Sequence, residues 1–99
     1  MRESIIQTSK LCRCPGCYRP GTEPHEVFFG TANRKKSIED KMVIYLCPKH
    51  HRLGGKECIH ENREFDLREK RKAQIIWELE YGKDDPRSEF IKRYGRSYL

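Results

Sequence analysis

Leu46-Cys47-Pro48-Lys49-His50-His51 is a Cys-x-x-His step followed at once by a second histidine, and Cys14-Pro15-Gly16-Cys17 upstream is a Cys-x-x-Cys step. In either step the backbone curls so that both side chains reach one point. Two such pairs complete the tetrahedral shell that Zn²⁺ prefers. The ligand set read from this spacing is Cys14, Cys17, Cys47 and His50, and Cys12 can replace Cys14 because a longer gap to Cys17 is also permitted. Pro15-Gly16 is a turn dipeptide suited to such a knuckle. His51 is then left free for other chemistry. The chain has five cysteines, an odd count, and its Met1-Arg2-Glu3-Ser4 start lacks the apolar segment of a signal peptide, so a disulfide framework is the weaker reading. A thioredoxin-like redox pair is weaker still, because the segment around Cys14 has no strand and helix context. Cys58 has no comparably spaced partner.

Working outward, the 99 residues, of which 35% are hydrophobic, make one small domain with a modest core, for which a metal staple would compensate. The formal net charge of +6 attracts polyanions, nucleic acid foremost. No apolar run approaches the roughly 18 residues of a membrane span. The expectation is a soluble, cytoplasmic chain with no membrane partner.

Residues 1–11 read as a loose arm or a short strand through Ile5 and Ile6, with no function assigned. From Cys12 to Pro24 the chain is rich in Pro, Gly and Cys, an irregular loop ordered by metal. Val27-Phe28-Phe29 and Met42-Val43-Ile44-Tyr45-Leu46 are short runs of β-branched and aromatic residues that favour strands. The polar, basic segment 30–41 between them reads as a long hairpin loop carrying Asn33-Arg34-Lys35-Lys36. Pro48 suits the first turn of a short helix bearing His50 and His51, stopped by Gly54-Gly55. The spacing of Phe65, Ala73, Ile76 and Leu79 predicts a helix over 63–81, bordered by Trp77 and stopped by Gly82, with the alternating charges of 63–72 on its solvated face. Asp85-Pro86 predicts an N-cap and first position for a second helix that buries Phe90, Ile91 and Tyr94 and ends at Gly95. The fold class is α+β: a zinc-stapled hairpin core over 12–62 and a helical extension over 63–99 packed on it as one domain.

His25-Glu26-Val27-Phe28, Gly30-Thr31-Ala32-Asn33-Arg34, Leu46 to His51 and His60-Glu61-Asn62 stand in an order that resembles the HNH, or His-Me finger, endonucleases. The small phage-type members with a zinc knuckle are the most similar, over roughly residues 14–62. The resemblance implies a ββα-metal core that hydrolyses DNA phosphodiester bonds with a divalent cation, Mg²⁺ or Mn²⁺, beside the structural zinc. It implies catalytic roles for His25, Glu26, Asn33 and His51, and a catalytic cation among His25, His51 and His60. Such hydrolysis must deprotonate a water and neutralise charge on the phosphate and on the departing oxygen, tasks suited to a histidine of near-neutral pKa and one cation. Arg34, Lys35 and Lys36 could hold flanking DNA phosphates by charge.

In the family's paired motif the first residue binds metal and the second is the base. Aligning on Val27 puts Glu26 at the base position; taking His25 as base instead puts Pro24, which has no side-chain donor, where a ligand belongs. Both registers remain open. One such site nicks a strand, and a double-strand cut would take a dimer or two encounters. Two other classes fit the composition: a non-catalytic zinc module that binds nucleic acid as an accessory factor, and a structural zinc domain that docks on a protein partner.

Overall fold

The computed structural model describes residues 2–99; position 1 of the expected arm lies outside them. Its centre is an antiparallel pair, β1 (Glu23–Glu26) against β2 (Val43–Leu46), in register Glu23↔Leu46, Pro24↔Tyr45, His25↔Ile44 and Glu26↔Val43. All four residues of β2 are buried, as its unbroken apolar run requires. The backbone groups of Tyr45 point away from β1: its N–H donates to Gln7 Oε1 at 2.9 Å and its carbonyl accepts the Arg13 N–H at 2.8 Å. Pro24, opposite Tyr45, therefore sits where the ladder asks for no N–H, which is how a proline fits this strand.

The first strand lies at Glu23–Glu26 and ends before Val27-Phe28-Phe29, the run expected to form it. The Val27 N–H still donates to the Met42 carbonyl at 3.0 Å. At Phe28 both backbone groups turn to the Ser37 hydroxyl, which accepts its N–H at 3.1 Å and donates to its carbonyl at 2.6 Å. That exchange takes the chain off the ladder and into the core, where Val27 and Phe28 are each 1% exposed. Ser37 belongs to a helix, α1 (Asn33–Glu39), inside the segment expected to be a plain loop. No apolar stripe announces it, because Ser37 is its one buried residue. Side chains anchor it instead: Asn33 Nδ2 donates to the Tyr94 carbonyl at 3.1 Å and Lys36 Nζ to the Arg93 carbonyl at 2.8 Å.

The N-terminal residues are tied down rather than loose. The Ile5 N–H reaches the Lys41 carbonyl at 3.1 Å, the Ser4 hydroxyl donates to the Val43 carbonyl, and Gln7 bridges Tyr45 to the Leu11 carbonyl. They cover the outer edge of β2, and Ile5 and Ile6 pack on the core.

Asn62 caps α2 (Arg63–Tyr81) by accepting the Phe65 N–H at 3.0 Å, and Asp85 caps α3 (Pro86–Tyr94), which ends at Gly95 with φ of 95°. Both helices fall where the sequence places them. The buried stripe of α2 is Phe65, Glu69, Ala73, Gln74 and Trp77, whereas Leu79, expected on that face, is 82% exposed. Glu69, expected on the solvated face, is 2% exposed and accepts Arg13 Nε at 2.8 Å, an ion pair that fastens α2 to the cysteine-rich loop. Edge-to-face contacts of Phe28 with Phe90 (5.2 Å between centroids) and Trp77 with Phe90 (5.4 Å), and a tilted contact of Phe28 with Tyr94 (4.5 Å), close the core between hairpin and helices. Asp40, at the end of α1, accepts from Trp77 Nε1 at 2.8 Å, Tyr94 Oη at 2.7 Å and Arg93 Nε at 2.6 Å, linking all three helices. The radius of gyration, 13.2 Å, matches one compact unit of about 100 residues. Among the described residues no helix is long and apolar enough to cross a membrane.

Candidate metal centres

The helical turn Lys49–Leu53 follows β2 directly, and its consecutive histidines point to different places. His50 joins Cys12, Cys17 and Cys47, and His51 joins His25 and His60; within each group the donor atoms all lie within 4.8 Å of one another.

In the first group Cys47 Sγ is 3.2 Å from His50 Nδ1, Cys12 Sγ is 3.5 Å from it, and Cys17 Sγ is 3.9 Å from Cys47 Sγ. A tetrahedral ion with Zn–S and Zn–N bonds of ordinary length spaces its donors by about 3.8 Å for sulfur to sulfur and about 3.5 Å for sulfur to nitrogen. The donor set fits a metal ion and is consistent with zinc. The fourth donor of this group is Cys12, and Cys14 lies outside it. Leu11 bridges to Pro20 and the Cys12 N–H donates to the Arg19 carbonyl at 2.8 Å, which closes a small loop with the buried Cys12 thiol on its inner side. Cys14 instead opens the Pro15-Gly16 turn, its carbonyl accepting the Cys17 N–H at 3.1 Å, and it faces a cleft against Phe65 and Arg68 of α2. Burial pushes the Cys12 thiol up to about 11. Burial acts in the same direction on Cys47, but hydrogen bonds from the backbone N–H and ring of His50 and from the Cys12 and Cys17 thiols together outweigh it and bring that thiol down to about 6. Cys58 is buried and stands outside the group.

The second group draws on three separate segments. His25 comes from β1 and His51 from the turn, and His60 follows the buried pair Cys58-Ile59, which the Ile59 N–H bond to the His50 carbonyl holds at 2.7 Å. Ring centroids lie 5.3 Å apart for His25 and His51, 4.9 Å for His25 and His60, and 5.1 Å for His51 and His60. His25 is 2% exposed, and its buried Nε2 has no hydrogen-bond partner. An orphaned imidazole nitrogen aimed among two others is what a metal ion would satisfy. Desolvation, with the charges of His60 and His51 next, pushes His25 down to about 3, and desolvation foremost lowers His60 as well. Both are therefore neutral at pH 7, the form in which imidazole ligates.

Glu23, which the sequence reading passed over, completes this group from behind. Its Oε1 is 2.7 Å from His51 Nδ1, and Arg52 grips the same carboxylate at 2.8 and 3.0 Å. A carboxylate on Nδ1 fixes the tautomer and leaves Nε2 as the donor, the usual support of a metal-bound histidine. The signal was present in period-2 spacing, since Glu23 and His25 share a face of β1.

The other candidate residues are placed as follows. Glu26 pairs with Arg2 at 3.1 Å and lines the same cavity as His25, His51 and His60, although it is not one of the three clustered histidine donors. Asn33 and Lys36 are spent on the C-terminal carbonyls of α3, so the structure does not bring Asn33 to the histidines as a base-orienting residue, nor leave Lys36 free as a phosphate contact. Lys35 is exposed on α1. Arg34 is exposed and lines the cavity of about 320 Å³ that holds His25, His51 and His60, together with Arg2, Glu26 and Phe29. Comparison of the chain with protein-family models, with curated proteins and with solved structures gave no match.

Proposed function

We propose that this chain is a metal-dependent endonuclease of the His-Me finger type that hydrolyses DNA phosphodiester bonds, built on a structural zinc held by Cys12, Cys17, Cys47 and His50. The observation that carries this reading is the convergence of His25, His51 and His60, from three segments, in a cavity that also presents two guanidinium groups. His25, His51 and His60 would hold the catalytic cation. When bound, it would lower the pKa of a coordinated water and offset charge on the phosphate. Three imidazoles suit a first-row transition ion such as Mn²⁺ better than Mg²⁺, which prefers oxygen ligands. The buried His25 is a ligand in this arrangement rather than the base, Glu23 holds His51 in the right tautomer, and Arg34 neutralises phosphate charge at the cavity mouth. His50 and His51 sit side by side on one turn, so the zinc staple also sets the position of His51.

Purified protein is expected to nick supercoiled plasmid with added Mn²⁺, and His51→Ala to abolish nicking while zinc content and fold stay unchanged. Absence of nicking by the wild type across Mn²⁺, Co²⁺, Ni²⁺, Zn²⁺ and Mg²⁺ would refute the enzymatic reading. The engagement of Glu26 by Arg2, which withdraws one candidate base, favours as second reading a non-catalytic nucleic-acid-binding module. That module would retain DNA in a salt-sensitive way indifferent to His51→Ala.

A further inference from the structure

The N-terminal residues carry a cation to the site from outside the hairpin. Ser4 is the pivot: its hydroxyl donates to the Val43 carbonyl and accepts the N–H groups of Ile6 and Gln7, each at 3.0 Å. With residues 4–7 fixed along β2, Arg2 reaches back to Glu26 of β1 and lines the histidine cavity. Arg2 is 43% exposed while Glu26 is 12% exposed, so the ion pair fixes the arginine and leaves much of its donor surface open.

Three hollows share two arginines in their walls. One of about 490 Å³, walled by Gln7, Ser9, Pro20, Thr22 and Tyr45, also has Arg2 in its wall. The histidine cavity of about 320 Å³ has both Arg2 and Arg34 in its wall. A third, of about 420 Å³, is formed by Gly30, Thr31 and Arg34. A single small phosphate compound would occupy the middle hollow alone, whereas a polymer of phosphates spaced along a chain can use all three. Guanidinium groups pair with phosphate oxygens in a fixed fork and neutralise them without reading sequence.

We propose that the three hollows form a track for one strand of nucleic acid, with Arg2 and Arg34 gripping phosphates on either side of the histidine cluster and Glu26 positioning Arg2. This rests on the proposed function and names the substrate contacts of that same site. Glu26 thereby acquires a positioning role through Arg2, and the segment 2–7 becomes part of the binding surface.

The test uses zinc-loaded protein carrying His51→Ala, so that no strand is cut, and a fluorescein-labelled single-stranded DNA oligonucleotide whose anisotropy is followed across a salt series. Arg2→Ala and Arg34→Ala are each expected to weaken binding several-fold and to flatten the slope of log affinity against log salt by about 0.7, the share of one phosphate contact on a single strand. Arg2→Lys should recover the slope, since it keeps the charge. Lys72→Ala, which removes an exposed cation of α2 that lines none of the hollows, is the control and should leave the slope unchanged. Equal effects of Arg2→Ala and Lys72→Ala would overturn the track. Plasmid nicking by otherwise wild-type protein separates the two ideas: Arg2-dependent binding without nicking refutes hydrolysis alone, and nicking without Arg2 dependence refutes the track alone.

Discussion

Replacing Cys12 and Cys14 one at a time by serine separates the spacing argument from the geometry. A structural zinc contributes ~10–16 kcal/mol of binding free energy at pH 7. Removing one of four ligands forfeits at least a quarter of that, ~3–4 kcal/mol, or about 10² to 10³ in zinc affinity. In a domain of this size, whose whole stability is ~5–15 kcal/mol, and where ~1 kcal/mol moves the melting temperature by about 4–8 °C, Cys12→Ser should melt at least about 12 °C lower. Cys14 lies outside the donor group, half-buried against α2, so Cys14→Ser should keep full zinc affinity and cost under ~1 kcal/mol. The assay is zinc stoichiometry by metal analysis, affinity by competition with a chromophoric chelator, and thermal unfolding by circular dichroism. Retention of zinc in Cys12→Ser with its loss in Cys14→Ser would refute the assignment. Equal, small losses in both would show that the two thiols exchange, and would refute a unique ligand set.

Three further outcomes follow from other parts of the structure. Glu23→Gln keeps the shape behind His51 Nδ1 but removes the charge, and loss of a carboxylate that supports a metal-bound histidine weakens metal affinity about 10- to 100-fold; Mn²⁺ titration of nicking should move by that factor with zinc content constant, and an unmoved titration would show that Glu23 serves only Arg52. Asp40→Ala strips Trp77 Nε1, Tyr94 Oη and Arg93 of their shared acceptor, which should cost ~3–5 kcal/mol; a loss below ~1 kcal/mol in chemical denaturation would refute its role as the link among helices. His25 is held near pKa 3 in the fold against 6.5 without it, so the unfolded chain binds the extra proton. With no cation at the histidines, stability should therefore fall by ~1.4 kcal/mol per pH unit below about 6.5. Subtracting the profile of His25→Leu cancels the staple's own acid sensitivity, and parallel profiles would contradict the burial of a neutral imidazole.

By itself the sequence determined whatever is written in local spacing. Asp85 and Pro86, with the stops Gly82 and Gly95, mark the ends of α2 and α3, because capping is a contest between a side chain and its own backbone within one turn. The Cys47-x-x-His50 step and the extra His51 were legible for the same reason, while His60 entered as a candidate partner only through the resemblance of motif order. Tertiary structure decided what depends on partners far along the chain. Cys12 displaced Cys14 because the Leu11 to Pro20 bridge turns one thiol inward and the other toward α2. Segment 30–41 became partly helical because Ser37 met Phe28 and Asn33 and Lys36 met the end of α3, contacts with no periodic apolar signature. Glu69 was buried because Arg13, distant in sequence, offered its charge a partner. The histidine cluster belongs to both: its residue types were visible, but the meeting of β1, the knuckle turn and the His60 turn at one point, with Glu23 behind and Arg2 in front, exists only once the hairpin has closed.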